Sequence, residues 1–364
     1  MGVARIQLRA TSPAASYGLA VFSLFCFCIL AGCRLQPASD TGIEFTRVPP
    51  AVEGGPDKLD IIEGRVSGGD AKLQLVLYAR NGKWWIQPIV EEPFTTIRPD
   101  STWTNSTHLG TDYAAMLVRA RFRPATTLDE IPTPGGDVVA VATVKGSEPT
   151  SQVTKTLQFS GYEWRIRNAP SDRGGLNNYD ANNAWTDSRG ALHLRIAKAS
   201  GQWTCAEVSL TRSLGYGTYS FVVRDTARLE PAAVFSIFTW DYAGTDQNHR
   251  EMDIELSQWG DPTIKNAQYV LQPFYVAENT SRFSLPPGEF THSLRWEPGS
   301  VSFKTVRGSH ASGKVPAVAE HAFTSGVPGH ASESVRMNLY VFRSAKEALK
   351  NENEVVVEKF EYLP

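Results

Sequence analysis

The chain has 364 residues, and 36 lysines and arginines against 38 aspartates and glutamates leave a formal net charge of −2, so no charge excess points to nucleic acid or another polyanion. Apolar residues at 41% and charged residues at 20% supply a packed core and exclude general disorder. The 29 glycines, 22 prolines and 9 tryptophans, with few long Ala/Leu/Glu/Lys runs, argue against an all-α fold and favour β-structure.

Cysteines stand at 26, 28, 33 and 205, the first three in or just after a hydrophobic leader, which leaves Cys205 alone in the body. One thiol builds neither a disulfide framework nor a cysteine zinc site. No two of the seven histidines flank a Glu at helical i,i+4 spacing, and neither a G-x-S-x-G elbow nor a phosphate-binding Gly-Lys loop occurs. Zinc, serine-hydrolase and nucleotide chemistry are set aside; no cofactor is required, and a structural Ca2+ is left open.

Residues 1–16 carry Arg5 and Arg9 and no acid, and Tyr17–Leu30 (YGLAVFSLFCFCIL) follow as an apolar run of signal-peptide length, too short to span a bilayer comfortably. Leu30-Ala31-Gly32-Cys33 resembles the bacterial lipoprotein signal: small residues admit the peptidase, and Cys33 supplies the thiol for a diacylglycerol thioether. That resemblance implies cleavage after residue 32, a tether over 33–43, and an exported lipoprotein in the cell envelope that touches the membrane through its lipid alone. With Arg34 rather than Asp after the cysteine, the outer membrane is favoured over inner-membrane retention.

Residues 44–147 read as a small β-sandwich. Leu73–Arg80 (LQLVLYAR), Asn81-Gly82 and Lys83–Val90 (KWWIQPIV) form a hairpin signal in which both turn positions need positive φ, and Ala114–Val118 and Val138–Val144 add strands. Trp84 and Trp85 point to opposite faces, one into the core and the other expected beneath a neighbouring loop. Residues 148–156 are polar and aperiodic and read as a linker. Strands then recur at Leu192–Ala197, Thr218–Arg224, Val234–Trp240, Val301–Lys304 and Val355–Phe360, making 157–364 one large jelly roll.

The stretch Glu251-Met252-Asp253-Ile254-Glu255-Leu256 alternates acid with apolar residue. That is the period of a half-buried strand, with Met252, Ile254 and Leu256 toward a core and the three carboxylates on the other face; a helix would scatter them. Three acids in a row on one face repel one another, and glycoside hydrolysis supplies a reason to keep them. A retaining enzyme needs a carboxylate nucleophile and a carboxylic acid roughly 5–5.5 Å apart. Asp253, shorter and central, is placed to hydrogen-bond one glutamate, and mutual repulsion raises the pKa of the group that must stay protonated.

Here the sequence resembles glycoside hydrolase family 16, the β-glucanase, laminarinase and carrageenase-like enzymes, whose signature is a Glu-x-Asp-x-Glu strand in a β-jelly roll. LGYGTYSFVVR, FTHSLRWEPGSVSFK with its His292-x-x-x-Trp296, Met337-Asn338-Leu339 and the closing strand 354–362 extend the resemblance over 157–364. It implies Glu251 as nucleophile, Asp253 as helper, Glu255 as general acid/base, and a regular rather than bulged catalytic strand. Where the family often has Trp-Pro and Gly before the first Glu, this chain has Gln247-Asn248-His249-Arg250, and Tyr340 stands where Trp often follows Asn-Leu.

Sugar rings have flat apolar faces, so Trp240 and Trp259 are the candidate platforms, with core packing the competing reading, while Gln268 and Asn177 are placed to reach ring hydroxyls. His292 is expected to pack beside Trp296 and Cys205 to be a buried small hydrophobe. The expectation is therefore an all-β chain, a concanavalin-like jelly roll after a small β-sandwich, monomeric, that cleaves internal β-glycosidic bonds of a polysaccharide with retention. A transglycosylase on the same fold, and a glycan-binding surface lipoprotein without catalysis, are the alternatives.

Overall fold

The computed structural model describes residues 41–55, 58–68, 72–148, 154–171, 177–199, 201–242, 248–309, 316–342 and 348–364. The leader, Cys33 and residues 149–153 of the expected linker lie outside the described residues. Strand boundaries differ slightly from expectation: the first strand begins at Gly42, inside the stretch read as tether, and another begins at Thr156, inside the stretch read as linker.

Nine strands precede residue 148: β1 (Gly42–Arg47), β2 (Leu59–Ser67), β3 (Gln74–Asn81), β4 (Lys83–Gln87), β5 (Phe94–Thr95), β6 (Thr102–His108), β7 (Asp112–Val118), β8 (Thr127–Leu128) and β9 (Val138–Lys145). They make a three-stranded sheet β1-β2-β6 and a second sheet ordered β8-β4-β3-β7-β9, with β5 also on β3. One core lies between the sheets, where Ile62 and Trp103 meet Leu75, Leu77, Tyr113 and Leu117. A second covers the other face of the larger sheet, where Val76, Tyr78, Trp84 and Met116 pack under Phe122, Leu128 and Ile131. Strands β3 and β7 are thus buried on both faces, which is why their sequences are continuously apolar rather than alternating.

Two details differ from the sequence reading of this hairpin. Gly82 alone takes a left-handed φ, +69°, and Asn81 pairs directly with Lys83, so the turn is tighter than the two-residue form with two positive φ angles. Trp84 is buried as the inner residue, but Trp85 is not covered by a loop; it stands 46% exposed, its indole N–H donating to the Asn81 carbonyl at 3.2 Å.

Sixteen strands follow: β10 (Thr156–Phe159), β11 (Tyr162–Ile166), β12 (Asn178–Tyr179), β13 (Ala184–Thr186), β14 (Leu192–Ala199), β15 (Gln202–Leu210), β16 (Gly217–Val223), β17 (Ala233–Trp240), β18 (Met252–Leu256), β19 (Ala267–Leu271), β20 (Thr280–Phe283), β21 (Phe290–Glu297), β22 (Ser300–Arg307), β23 (Ala317–Phe323), β24 (Ser334–Val341) and β25 (Asn353–Leu363). They form a two-layered, jelly-roll-like sandwich. The first layer runs β10-β11-β15-β24-β17-β18-β19-β20. The second runs β13-β14-β25-β16-β21-β22-β23, and the β14–β15 hairpin bends from one layer into the other.

Between the layers lies one continuous apolar core. Val208, Ile237, Met252, Ile254, Tyr269 and Met337 come from the first layer, and Leu194, Phe221, Trp296, Phe303 and Phe360 from the second. Alternation then sends the intervening side chains of the first layer away from this core, onto its outer face. Many of those residues are polar, yet Glu207, Ser236, Asp253, Gln268, Arg336 and Asn338 are all buried. Polar side chains turned away from a core and still shielded from water define a recess.

Candidate active site

The recess is built by register. Glu255 on β18 pairs with Ser236 on β17 and with Gln268 on β19; Ser236 pairs onward with Asn338 on β24, and Gln268 with Arg282 on β20. One row of side chains therefore crosses the sheet as Glu207, Asn338, Ser236, Glu255, Gln268 and Arg282. The neighbouring row carries Ser209, Arg336, Phe238, Asp253 and Val270. Pairing along β18 shows no register shift, so the strand that carries the acids is regular.

Glu251 sits one residue before β18, and the chain entering it is bent. His249 and Arg250 both adopt left-handed backbone, φ +52° and +55°, which disfavours residues with a side chain. Their surroundings hold them there. Arg250 donates to Asp241 at 3.0 Å, Thr239 donates to the Arg250 carbonyl at 2.7 Å, and the Glu251 N–H donates to the Asn248 carbonyl at 2.9 Å. The departure from the family pattern at Asn248-His249-Arg250 is thus a strained turn that sets where Glu251 enters the recess.

The three carboxyl groups have different environments. Burial, then the charges of Glu251 and Glu255, push Asp253 well above the usual carboxylate range, and a side-chain hydrogen bond to Glu251 favours its protonated form; Gln272, at 3.3 Å, opposes weakly. Asp253 is therefore the proton bearer of the pair and donates to Glu251. Burial also raises Glu255, against hydrogen bonds from Gln268, Ser236 (3.1 Å) and Tyr340 (3.5 Å) and the charge of Arg282, all of which favour its ionised form. Burial and the nearby Glu255 hold the Tyr340 phenol well above its ordinary value, so it remains a donor. The site thus offers an elevated acid at Glu255 and a neutral donor beside Glu251, the pairing of environments that acid/base chemistry needs.

The other expected contacts fare differently. Trp240 ends β17 on the recess side, but His249 stacks on one face of its indole at 4.2 Å and 14°, and its N–H is buried without a hydrogen-bond partner. Trp259 lies under the Arg282 guanidinium at 4.7 Å, so one of its faces is taken by a cation. Gln268 does not reach outward to a ring hydroxyl: its amide nitrogen is spent on Glu255 and its oxygen accepts from Arg282 at 2.7 Å. Asn177 is a correction. It is buried, its amide bridging the Val341 carbonyl (2.9 Å) and N–H (2.8 Å) and accepting from the Cys205 thiol at 3.2 Å, so it ties a loop to β24 rather than facing a sugar.

Outside the recess, Cys205 is buried and free, its thiol pushed up to about 12 by burial. His292 shares its strand face with Trp296, contacts Thr305 at 2.9 Å, and lies in the core. Among the described residues no group of three His, Cys, Asp or Glu side chains is disposed to hold a metal.

Sequence reasoning missed Ser236, Gln272, Arg282, Arg336 and Asn338, because only the cross-strand register brings them beside the acids. It also missed Phe274 and Tyr275, 65% and 78% exposed in the segment that follows Gln272. Their signal was legible in hindsight as two adjacent aromatics just beyond the end of a strand.

No family model matches the chain, and neither does any curated protein. Among solved structures, the β-glucanase of Bacillus licheniformis is similar over 58% of this chain and 100% of its own, at 18% identity and a TM-score of 0.45. A β-1,3-1,4-glucanase (lichenase) derived from a mouse hindgut metagenome is similar over 55% and 92%, at 19% identity and 0.43. A Mycobacterium tuberculosis protein called an immunostimulatory antigen and pseudo β-1,3-glucanase is similar over 54% and 88%, at 16% and 0.41. Likeness at this level assigns no activity, and a reading of the site rests on its own chemistry.

Proposed function

We propose that the chain is a retaining endo-glycosidase acting on internal β-glycosidic bonds of a polysaccharide. The observation that supports it is the contrast within one recess: burial raises the Glu255 carboxyl above its usual range, while Glu251, four residues away on the same side, is hydrogen-bonded to Asp253, whose carboxyl burial and the neighbouring charges raise well above its own.

In the first step the Glu251 carboxylate attacks the anomeric carbon as the glycosidic C–O bond breaks, and the leaving oxygen takes the proton of Glu255. The product is a glycosyl ester on Glu251. In the second step Glu255, now a carboxylate, takes a proton from water; the water oxygen attacks the anomeric carbon and the ester bond returns its electrons to Glu251. Two inversions give net retention. Asp253 acts through Glu251, its hydrogen bond steadying the anion as the ester forms and is released.

The test is chemical rescue with stereochemistry. Glu251→Ala should lose several orders of magnitude on every substrate. Glu255→Ala should cleave an activated aryl glycoside, whose leaving group needs no proton, and azide should accelerate its second step. Proton NMR of the first product formed by the wild type should show the β-anomer; initial α-anomer would overturn the mechanism.

A further inference from the structure

The turn that carries Glu251 into the recess is braced from outside its own strand pair, and the braces meet at Asp241. This residue directly follows β17 and is buried. Its backbone engages His249: the Asp241 N–H donates to the His249 carbonyl at 2.8 Å, and the Asp241 carbonyl accepts from His249 Nδ1 at 3.2 Å. Its carboxylate engages two further groups, accepting from Arg250 Nε at 3.0 Å through one oxygen and from the Ser332 hydroxyl at 2.8 Å through the other. We propose that Asp241 is a positioning residue for Glu251, and that through it the loop between β23 and β24 sets the line along which Glu251 attacks. The role rests on the glycosidase reading.

Two consecutive residues with side chains in left-handed backbone, His249 and Arg250, are a conformation that a chain keeps only where its surroundings impose it. Asp241 touches both. Thr239 adds a contact on the far side of the turn: its hydroxyl donates to the Arg250 carbonyl and accepts from the Met252 N–H at 3.1 Å. Glu251 is therefore held between two tethered neighbours, and its own carbonyl accepts from the Gln272 N–H at 3.2 Å across the sheet.

The loop after β23 supplies the outer anchor. Its Gly329 carbonyl accepts from Arg250 Nη1 at 3.2 Å, three residues before Ser332, so the Arg250–Asp241 ion pair is gripped at both ends by one short stretch of chain. That stretch is itself fastened to the sandwich. The indole N–H of Trp296, a residue fully buried in the core, donates to the Pro328 carbonyl at 3.1 Å, and the His330 N–H donates to the Tyr216 hydroxyl at 3.3 Å. Buried Glu333 accepts from the Ala331 N–H at 2.6 Å and from the Ser213 hydroxyl at 2.9 Å. A continuous chain of contacts thus runs from the core through the loop to the turn before Glu251, separate from the ladder that holds β18. A carboxylate suits the meeting point, because Arg250 and Ser332 both arrive as donors and each takes its own oxygen, with charge strengthening the bonds. The arrangement sits where Asn248-His249-Arg250 depart from the pattern the sequence resembles, so it is this chain's own way of presenting Glu251.

The test compares Asp241→Ala, Asp241→Asn and Ser332→Ala, in the full chain, on whichever of β-1,3-glucan, mixed-linkage β-glucan and sulfated galactan the wild type cleaves. Misplacing a reacting group by about 1 Å costs about a hundredfold, so Asp241→Ala should lower kcat by about tenfold to a hundredfold while KM, and retardation by the same polymer in affinity electrophoresis, stay within about twofold. Ser332→Ala, at an exposed loop position, should lower kcat by about threefold to tenfold with an unchanged thermal midpoint. Asp241→Asn keeps an acceptor for Arg250 and can turn its amide N–H to the Ser332 oxygen, so it should stay within about fivefold of wild type. The alkaline limb of the pH profile, which Glu255 sets, should not move in any of the three. A kcat within about twofold of wild type in folded Asp241→Ala and Ser332→Ala would overturn the role, and so would a displaced alkaline limb, which would mean that the recess as a whole had changed rather than the aim of Glu251. Should Asp241→Ala fail to fold, Ser332→Ala decides alone. No cleavage by the wild type, or full activity in Glu251→Ala, would remove the glycosidase reading and this role with it, whereas an inactive Glu251→Ala beside fully active Asp241 and Ser332 variants would remove the positioning role alone.

Discussion

Gln268 holds Glu255 from the neighbouring strand: its amide N–H donates to the carboxylate while its oxygen is fixed by the Arg282 Nε at 2.7 Å. Arg282 can only donate, so it decides which end of the amide faces Glu255. The charge on β20 is thereby transmitted to the acid on β18 through one intervening side chain.

Gln268→Ala should misplace Glu255 and lower kcat/KM by about tenfold to a hundredfold, the scale of a displaced catalytic group. Its donation favours ionised Glu255, so its loss raises the Glu255 pKa, and the alkaline limb of the pH profile, where the general acid loses its proton, should move to higher pH. A steady alkaline limb in a folded variant would remove Gln268 from this role.

Asp253→Asn should remain within about tenfold of wild type, because the amide is neutral like the protonated acid and still donates to Glu251. Asp253→Ala should cost roughly tenfold to a hundredfold, the worth of about 1.5–3 kcal/mol for a donor to a charged acceptor. The stability effect has the opposite sign. A carboxyl with a raised pKa keeps its proton in the fold but loses it when unfolded, so stability falls as pH rises from the ordinary carboxylate value toward the folded one. Asp253→Asn removes that loss and should unfold at a higher temperature than wild type at neutral pH, with the difference shrinking in acid.

The adjacent tryptophans of β4 should separate cleanly in denaturant unfolding. Trp84→Ala opens the second small core and should cost about 3–5 kcal/mol, whereas the exposed Trp85→Ala should stay within about 0.5 kcal/mol. Equal losses would mean that Trp85 is covered after all.

His292 sets an acid limit on the sandwich. Burial pushes its pKa from 6.5 down to about 3, so below 6.5 the unfolded chain binds a proton that the folded one refuses. Stability should fall with pH through that window by up to about 1.4 kcal/mol per unit. His292→Leu should flatten this slope, read as unfolding midpoint against pH; an unchanged slope would assign the acid sensitivity elsewhere.

The β-rich composition, the strand of alternating acids and the hairpin at Gly82 were legible because each is a local signal. The cleft was not, because its remaining members meet only through register: Ser236 stands 19 residues before Glu255 and Tyr340 85 after it, yet both reach the same carboxylate. Asn177 and Gln268 were misread for a related reason. A polar side chain near an active strand looks available until the partner that consumes it, Val341 in one case and Arg282 in the other, is placed.

Strand β25 follows every other strand of the sandwich in sequence but lies inside the second layer, pairing Val357 with Leu192 on one side and Phe360 with Phe221 on the other. During folding, β14 and β16 therefore present bare hydrogen-bonding edges until residues 353–363 are in place. Such long-range closure is slow, and open edges flanked by apolar residues invite pairing with other chains. Folding yield should accordingly depend on how long those edges wait, and a chain interrupted before residue 353 would be aggregation-prone even though the three carboxylates of the recess are already present.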